Sequence, residues 1–281
     1  MQCRKVSWEC TTDITQEDAK YPSSSRGCKV CRLHAFWKSF SPGFSLQDQL
    51  ESSYWCLSGF RYSFAILFVN AEGNGVTWLS RMEGEANGIF YREEVPANGG
   101  RFTVLFLHGQ AFSSQTWEDL GTLKFLRSKN YRVVALDLPG YVKSKDAKVP
   151  RNSEERRVFL NKFTEKLQIT RPVIVSPSMS GSYALPFIFQ GDQGRNLRGF
   201  VPVAPVGTDQ HSESDYKNLQ LPTLIVYGEN DATLGVSSLR RLRNIPGSVI
   251  HMIKGAGHAC YMKNADEFHE NLDNFLSKLQ E

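Results

Sequence analysis

Between residues 103 and 253 the chain carries six short apolar runs, at 103–107, 132–136, 173–176, 199–204, 223–227 and 249–253, each followed at once by turn chemistry. Runs this short, rich in Val, Leu, Ile and Phe, read as strands covered on both faces. The segments between them repeat apolar residues at helical spacing: Trp117, Leu120 and Leu123, then Phe159, Phe163 and Leu167, and near the end Phe268, Leu272, Phe275, Leu276 and Leu279. Strand and helix therefore alternate, which predicts an α/β domain built on a mostly parallel sheet. Right-handed crossovers and short connections make that sheet doubly wound and put its functional loops at the carboxyl ends of the strands.

With 281 residues and 41% hydrophobic content, the chain can bury the core of one large domain and leave a tail. Residues 1–80 show no sustained period and read as a poorly ordered N-terminal extension; residues 81–281 form the α/β domain, its pattern becoming clear from about Gly88. The net charge of +4 is small and its signs are interleaved, so no nucleic-acid partner is expected. Five of the six cysteines fall within the first 56 residues, against a disulfide-built domain. Cys28-Lys29-Val30-Cys31 has the spacing of half a zinc site but no second pair follows it, and no metal is expected. The apolar stretch 55–69 is shorter than the ~20 residues of a spanning helix and contains Arg61, so it predicts no clear membrane segment. It also lies too far into the chain to resemble a cleaved leader. The absence of any Asn-x-Ser/Thr acceptor favours a cytoplasmic setting.

The run at 173–176 leads directly into Ser176-Pro177-Ser178-Met179-Ser180-Gly181 and then into the helix-compatible Tyr183-Ala184-Leu185. A strand, a sharp turn of small residues and a helix form the nucleophile elbow, here with serines where G-x-S-x-G has its two glycines. Small residues are needed two before and two after the nucleophile, because the helix starts so close to the strand. Ser176 and Ser180 meet that need for Ser178. A frame centred on Ser180 is also sterically allowed, but Pro177 biases Ser176 toward an extended conformation, so the strand should reach Ser176 and turn at Ser178. On its own the segment reads equally well as a serine-rich helix cap.

The other strand ends decide the matter. After 103–107 comes His108-Gly109-Gln110-Ala111, a turn whose backbone N–H groups, that of Gln110 in particular, can face a developing oxyanion together with the N–H of Met179. After 223–227 comes Gly228-Glu229-Asn230-Asp231, and after 249–253 comes Gly255-Ala256-Gly257-His258. Ser178, Asp231 and His258 stand in the Ser…Asp…His order of the α/β-hydrolase fold, each after a separate strand. A serine hydroxyl needs a general base at neutral pH; His258 would take its proton, while Asp231 would fix the imidazole's tautomer and stabilise its charged form. Glu229 is the other candidate acid, but it follows the glycine turn directly and is better suited to capping or to facing solvent. His34, His211, His251 and His269 lie in the extension, a polar loop, a strand and the last helix, and are poorer bases. Asp137-Leu138-Pro139-Gly140 reads as a structural turn. Residues 205–221 are too few for a substantial cap, so the site should be open.

These motifs, with Phe90-Tyr91-Arg92-Glu93, Leu120-Gly121-Thr122-Leu123, Gly199-Phe200-Val201-Pro202-Val203-Ala204-Pro205 and Gly257-His258-Ala259-Cys260-Tyr261, resemble the α/β-hydrolase domain-containing protein 14 family from about Gly88 to the C-terminus. His-Ala-Cys-Tyr at 258–261 and Asp-Glu-Phe-His at 266–269 are more similar to the A-type than to the B-type member. The resemblance places nucleophile, acid and base on Ser178, Asp231 and His258. It implies hydrolysis of small activated esters and, for the B-type, transfer of acetyl from acetyl-lysine to coenzyme A. It also implies membrane association as an alternative, since A-type members carry an upstream anchor. The expectation is thus a serine hydrolase or acyltransferase acting on small acyl esters or acyl-lysine, needing no cofactor, with coenzyme A as an optional acyl acceptor. The contrasting reading is a catalytically idle adaptor that uses the same fold to bind a protein partner.

Overall fold

The computed structural model describes residues 29–31, 53–57, 66–69 and 76–78 as strand backbone, residue 81 likewise, and residues 82–190 and 194–280 with side chains. The chain divides into two units, Met1–Met82 and Glu83–Glu281. In the first, β1 (Lys29–Cys31), β2 (Ser53–Leu57), β3 (Ile66–Val69) and β4 (Val76–Trp78) pair in sequence order as an antiparallel sheet, with Val30 opposite Cys56, Tyr54 opposite Leu67 and Phe68 opposite Thr77. The apolar stretch 55–69 contributes to β2 and β3. Its remaining residues, like Cys28 and His34, lie outside the described residues. Among the described residues, no helix is long and apolar enough to cross a membrane.

Among the described residues, the working sheet has eight strands: β5 (Arg81–Ala86), β6 (Ile89–Glu94), β7 (Thr103–Phe106), β8 (Arg132–Leu136), β9 (Val173–Pro177), β10 (Gly199–Val203), β11 (Leu224–Gly228) and β12 (Val249–Ile253). Their order is β12-β11-β10-β9-β7-β8-β6-β5. The strands from β7 to β12 run parallel, and β6 joins β8 antiparallel with Tyr91 opposite Leu136. This is the mostly parallel, doubly wound sheet that the sequence predicts.

Strands β5 and β6 are an addition to that prediction. Asn87 and Gly88 both have positive φ, 56° and 78°, the signature of a two-residue hairpin turn. What obscures β6 is its charge: Arg92, Glu93 and Glu94 are all buried. Arg92 donates to Glu118 Oε2 and to Ser114 Oγ, both at 2.6 Å, and also to Gln115, so the buried cation is paired and hydrogen-bonded. Arg132 donates to Glu93 Oε1 at 2.7 Å.

Among the described residues, eight helices flank the sheet: α1 (Ser114–Asp119), α2 (Thr122–Ser128), α3 (Ser153–Lys166), α4 (Gly181–Phe189), α5 (Glu213–Asn218), α6 (Leu234–Leu242), α7 (Cys260–Lys263) and α8 (Ala265–Leu276). The stripe Trp117, Leu120 and Leu123 is split between α1 and α2 because Gly121 takes φ 74°, a left-handed conformation that favours glycine.

Two cores result, one on each sheet face. Leu105, Leu107, Ile174 and Ile225 point to the face covered by Phe163 of α3 and Leu185 of α4. Val104, Phe106, Val175 and Val226 point to the face covered by Trp117 and by Phe268 of α8. Each such side chain contributes about 1.5–3 kcal/mol on burial. One of these contacts reaches the site directly: the indole N–H of Trp117 donates to the Leu107 carbonyl at 2.8 Å, fixing the end of β7 where the next loop begins.

Candidate active site

The turn after β9 is built as its residues dictate. Ser178 sits at φ 49°, a left-handed conformation unusual for a side-chain-bearing residue, and Ser178–Ser180 form one tight helical turn before α4. Gly181 is needed because the loop after β10 passes close by: a Cβ there would lie 2.4 Å from the Val206 carbonyl oxygen and 2.6 Å from Pro205 Cβ. The two flanking serines meet across the turn, with Ser176 Oγ 3.1 Å from Ser180 Oγ. Ser180 is wholly buried and donates to the Pro177 carbonyl at 2.8 Å, with an ordinary φ of −68°. The frame centred on Ser180 therefore buries its hydroxyl, whereas Ser178 carries the strained backbone and is only partly buried.

Ser178 Oγ lies 2.8 Å from His258 Nε2, and His258 Nδ1 lies 2.6 Å from Asp231 Oδ2. The Asp231 carboxylate can only accept while ionised, so Nδ1 carries the proton and Nε2 is left to accept from the serine hydroxyl. Burial alone would push Asp231 up. Hydrogen bonds from His258, the Gly235 N–H and Thr233 outweigh it and hold the carboxyl below its usual range. The Thr233 hydroxyl donates to Asp231 Oδ1 at 3.2 Å, a positioning contact that the sequence reading missed. The carboxylate side chain is 2% exposed and the imidazole 42%, so the carboxylate is sheltered while the ring faces solvent. Residues 205–221 hold only a short turn of helix and α5, too little chain for a substantial cap.

The loop bearing His258 is pressed against the end of β11. The Asn230 N–H donates to the Ala256 carbonyl at 2.8 Å and the Glu229 N–H to the Ile253 carbonyl at 3.0 Å. Glu229 itself accepts from the Gly255 N–H at 2.8 Å and is exposed, so it caps this loop at the surface.

The turn after β7 passes beside Ser178, since a Cβ on Gly109 would lie 3.6 Å from Ser178 Cβ. Gln110 follows Gly109 and is exposed, while Met179 is the second residue of the helical turn Ser178–Ser180, where backbone N–H groups have no acceptor within the helix. Tyr141 donates from its hydroxyl to Met179 Sδ at 2.8 Å and packs on His108, a contact with no signal in the sequence.

His108 holds the scaffold. Its Nε2 accepts from the Leu138 N–H at 2.9 Å, which leaves Nδ1 to donate to the Gly109 carbonyl at 2.9 Å; burial lowers its pKa and keeps it neutral. Asp137 accepts from the backbone N–H groups of Ser114 and Lys143, so this turn is structural as expected. Elsewhere, His251 pairs with Glu267, His269 bonds Thr122, and His211 stacks on Phe189, all away from Ser178. Among the described residues, no group of three or more His, Cys, Asp or Glu side chains is arranged to hold a metal.

No protein-family model matches the chain. Protein ABHD14A of Danio rerio is 46% identical over 197 residues, covering 68% of this chain and 72% of its own. ABHD14B of Homo sapiens, named as a candidate protein-lysine deacylase, is 43% identical over 203 residues, covering 71% and 94%. Among solved structures, a predicted CIB-like hydrolase from Thermoplasma acidophilum shares the fold with a TM-score of 0.62 at 24% identity, over 70% of this chain and 96% of its own.

Proposed function

Because the chain belongs to the α/β-hydrolase domain-containing protein 14 family, we propose that it is a serine hydrolase of acyl substrates, small esters or acylated lysine side chains, working through an acyl-enzyme on Ser178. The observation that carries this reading is the hydrogen-bonded chain from Ser178 through His258 to Asp231, at 2.8 and 2.6 Å, with the serine held on a left-handed turn. The name of the human relative supports acyl-lysine as a substrate class.

In this mechanism Ser178 Oγ attacks the acyl carbonyl carbon as its proton passes to His258 Nε2. The carbonyl oxygen becomes an oxyanion that accepts from the N–H groups of Met179 and Gln110. Asp231 stays ionised and stabilises the imidazolium. The tetrahedral intermediate collapses, the C–O or C–N bond to the leaving group breaks, and His258 returns its proton to the departing alcohol or lysine amine. Water then attacks the Ser178 ester with His258 as base, releasing the carboxylic acid and regenerating the serine. If the thiol of coenzyme A replaces water, the product is a thioester and the protein acts as an acyltransferase. No metal or redox cofactor enters any step.

A fluorophosphonate probe tests the nucleophile. Labelling should be lost in Ser178→Ala and in His258→Ala and retained in Ser180→Ala; unchanged labelling of Ser178→Ala refutes the mechanism. Release of acetate from acetyl-lysine peptides, with and without coenzyme A, against hydrolysis of p-nitrophenyl acetate, then separates the deacylase, transferase and esterase outcomes.

A further inference from the structure

A cavity of about 770 Å³ lies between the loop after β10 and helix α6, within the range of ligand sites. It does not contain Ser178, yet both of its walls are tied to the triad. Val206, on one wall, donates its N–H to the Ser178 carbonyl at 2.9 Å; Thr233, on the other, donates to Asp231. Both walls rise from strand ends at the carboxyl edge of the sheet, where ligands of open α/β sheets bind. From Thr233 the cavity follows the side of α6 to Arg240 and Arg241. At 1.5 Å rise per residue, that is about 12 Å along the helix, the length of about three or four residues of extended peptide.

The charges along it are unbalanced. Neither Arg240 nor Arg241 forms an ion pair among the described residues, although both are close enough to Glu213 to lower its pKa behind the larger effect of Lys217. Glu213 is already paired with Lys217 at 2.6 Å. Asp209 is the remaining carboxylate on the lining. With Lys217 counted beside its partner, cations outnumber carboxylates.

We propose that this cavity is a subsite for the peptide flanking the acylated residue, and that Arg240 and Arg241 select an Asp or Glu about three or four positions away. The inference rests on the acyl-hydrolase reading and extends it from the acyl group to the sequence around it. An acyl-lysine side chain would reach Ser178 while the backbone runs along α6, its acidic residue meeting the two guanidiniums. Arginine suits this role because its fork can hold a carboxylate by two hydrogen bonds.

The test uses acetyl-lysine peptides with Glu, Gln or Lys placed two to five positions to either side, bound to full-length Ser178→Ala protein by fluorescence anisotropy at low and at physiological salt. Binding is read without turnover, so the result stands apart from the fate of the catalytic mechanism. The Glu peptide at one offset should bind about three- to tenfold tighter than the Gln peptide, the scale of two exposed ion pairs, and the difference should shrink with salt. Adding Arg240→Ala and Arg241→Ala should abolish the preference, Arg→Lys at both sites should keep part of it, and Asp209→Asn should strengthen it. Equal binding of Glu and Gln peptides at every offset, or a preference for Lys, overturns the proposal. So does an Arg240/Arg241 effect confined to coenzyme A binding. In active protein the same substitutions should raise KM for the Glu peptide and leave p-nitrophenyl acetate hydrolysis unchanged.

Discussion

Gly228→Ala should disable the site from outside it. Gly228 is the last residue of β11, and a Cβ there would lie 2.2 Å from the Gly257 carbonyl oxygen, 2.5 Å from that of Ala256 and 2.8 Å from the Ala256 carbonyl carbon. All three atoms are backbone, so no side chain can swing aside. To restore van der Waals contact the loop must withdraw by about 1 Å, and His258 is the next residue along it. A shift of that size takes the 2.6 Å contact between His258 and Asp231 out of hydrogen-bonding range. Misplacement of a catalytic group by about 1 Å costs about 100-fold in rate. Overpacking of the same contact should cost about 1–3 kcal/mol. For a domain of this size that lowers Tm by roughly 3–10 °C. Gly257→Ala is the control, because a Cβ there meets nothing within 4 Å and its φ is not left-handed. Fluorophosphonate labelling rates, p-nitrophenyl acetate hydrolysis and thermal melts should separate the pair, with Gly257→Ala within about twofold of the parent. Retention of near-parental rate and Tm by Gly228→Ala, or equal loss in both variants, would show that this contact does not position His258.

Asp231→Asn should lower kcat by about 10⁴ while leaving the fold intact, since an amide no longer enforces the Nδ1–H tautomer or stabilises the imidazolium; steady-state kinetics and circular dichroism check the two halves. Ser180→Ala removes a buried hydroxyl that donates to Pro177 and accepts from Ser176, and should cost about 1–3 kcal/mol in a urea melt with probe labelling retained. Arg92→Met removes the buried cation that donates to Glu118 at 2.6 Å and to Ser114, and should destabilise by about 3–5 kcal/mol, part of which Glu118→Gln should restore in the double variant. His269 is buried against Thr122 and Phe125, and burial lowers its pKa from the usual 6.5, against the weaker opposing pull of Asp266. The folded state thus favours the neutral ring. Its contribution is complete above the usual 6.5 and is lost as pH falls through the lowered value, so His269→Gln should flatten the decline of Tm that sets in as pH falls below about 6.5.

The parallel core and the grouping of Ser178, His258 and Asp231 are legible in the sequence for one shared reason. A strand buried on both faces must be continuously apolar, and the first residue able to do chemistry then stands out at its end, as Asp231 does after 223–227 and His258 after 249–253. Strand β6 fails that reading because its buried charges are solvated by partners far along the chain: Arg92 by Ser114, Gln115 and Glu118, Glu93 by Arg132. No local pattern announces such pairings. Helix α4 is read from Tyr183-Ala184-Leu185, and only its continuation through Pro186 to Phe189 goes against the local pattern. Thr233 and Tyr141 are ordinary loop residues until the fold brings them to Asp231 and Met179.

The elbow falls between these cases. Its departure from the glycine pattern argues against it by matching, yet the two serines are compatible with it because each satisfies a hydroxyl that would otherwise be buried without a partner. Ser180 spends its proton on the Pro177 carbonyl, so its oxygen is free to accept from Ser176 at 3.1 Å. A one-way chain, Ser176 to Ser180 to Pro177, thus replaces the bare contact of two glycines, and a lone serine at position 176 would leave its buried O–H without that acceptor. The pair therefore counts in favour of Ser178, since Ser176 and Ser180 are fully occupied with each other and with the backbone, and the hydroxyl left available to His258 is that of Ser178.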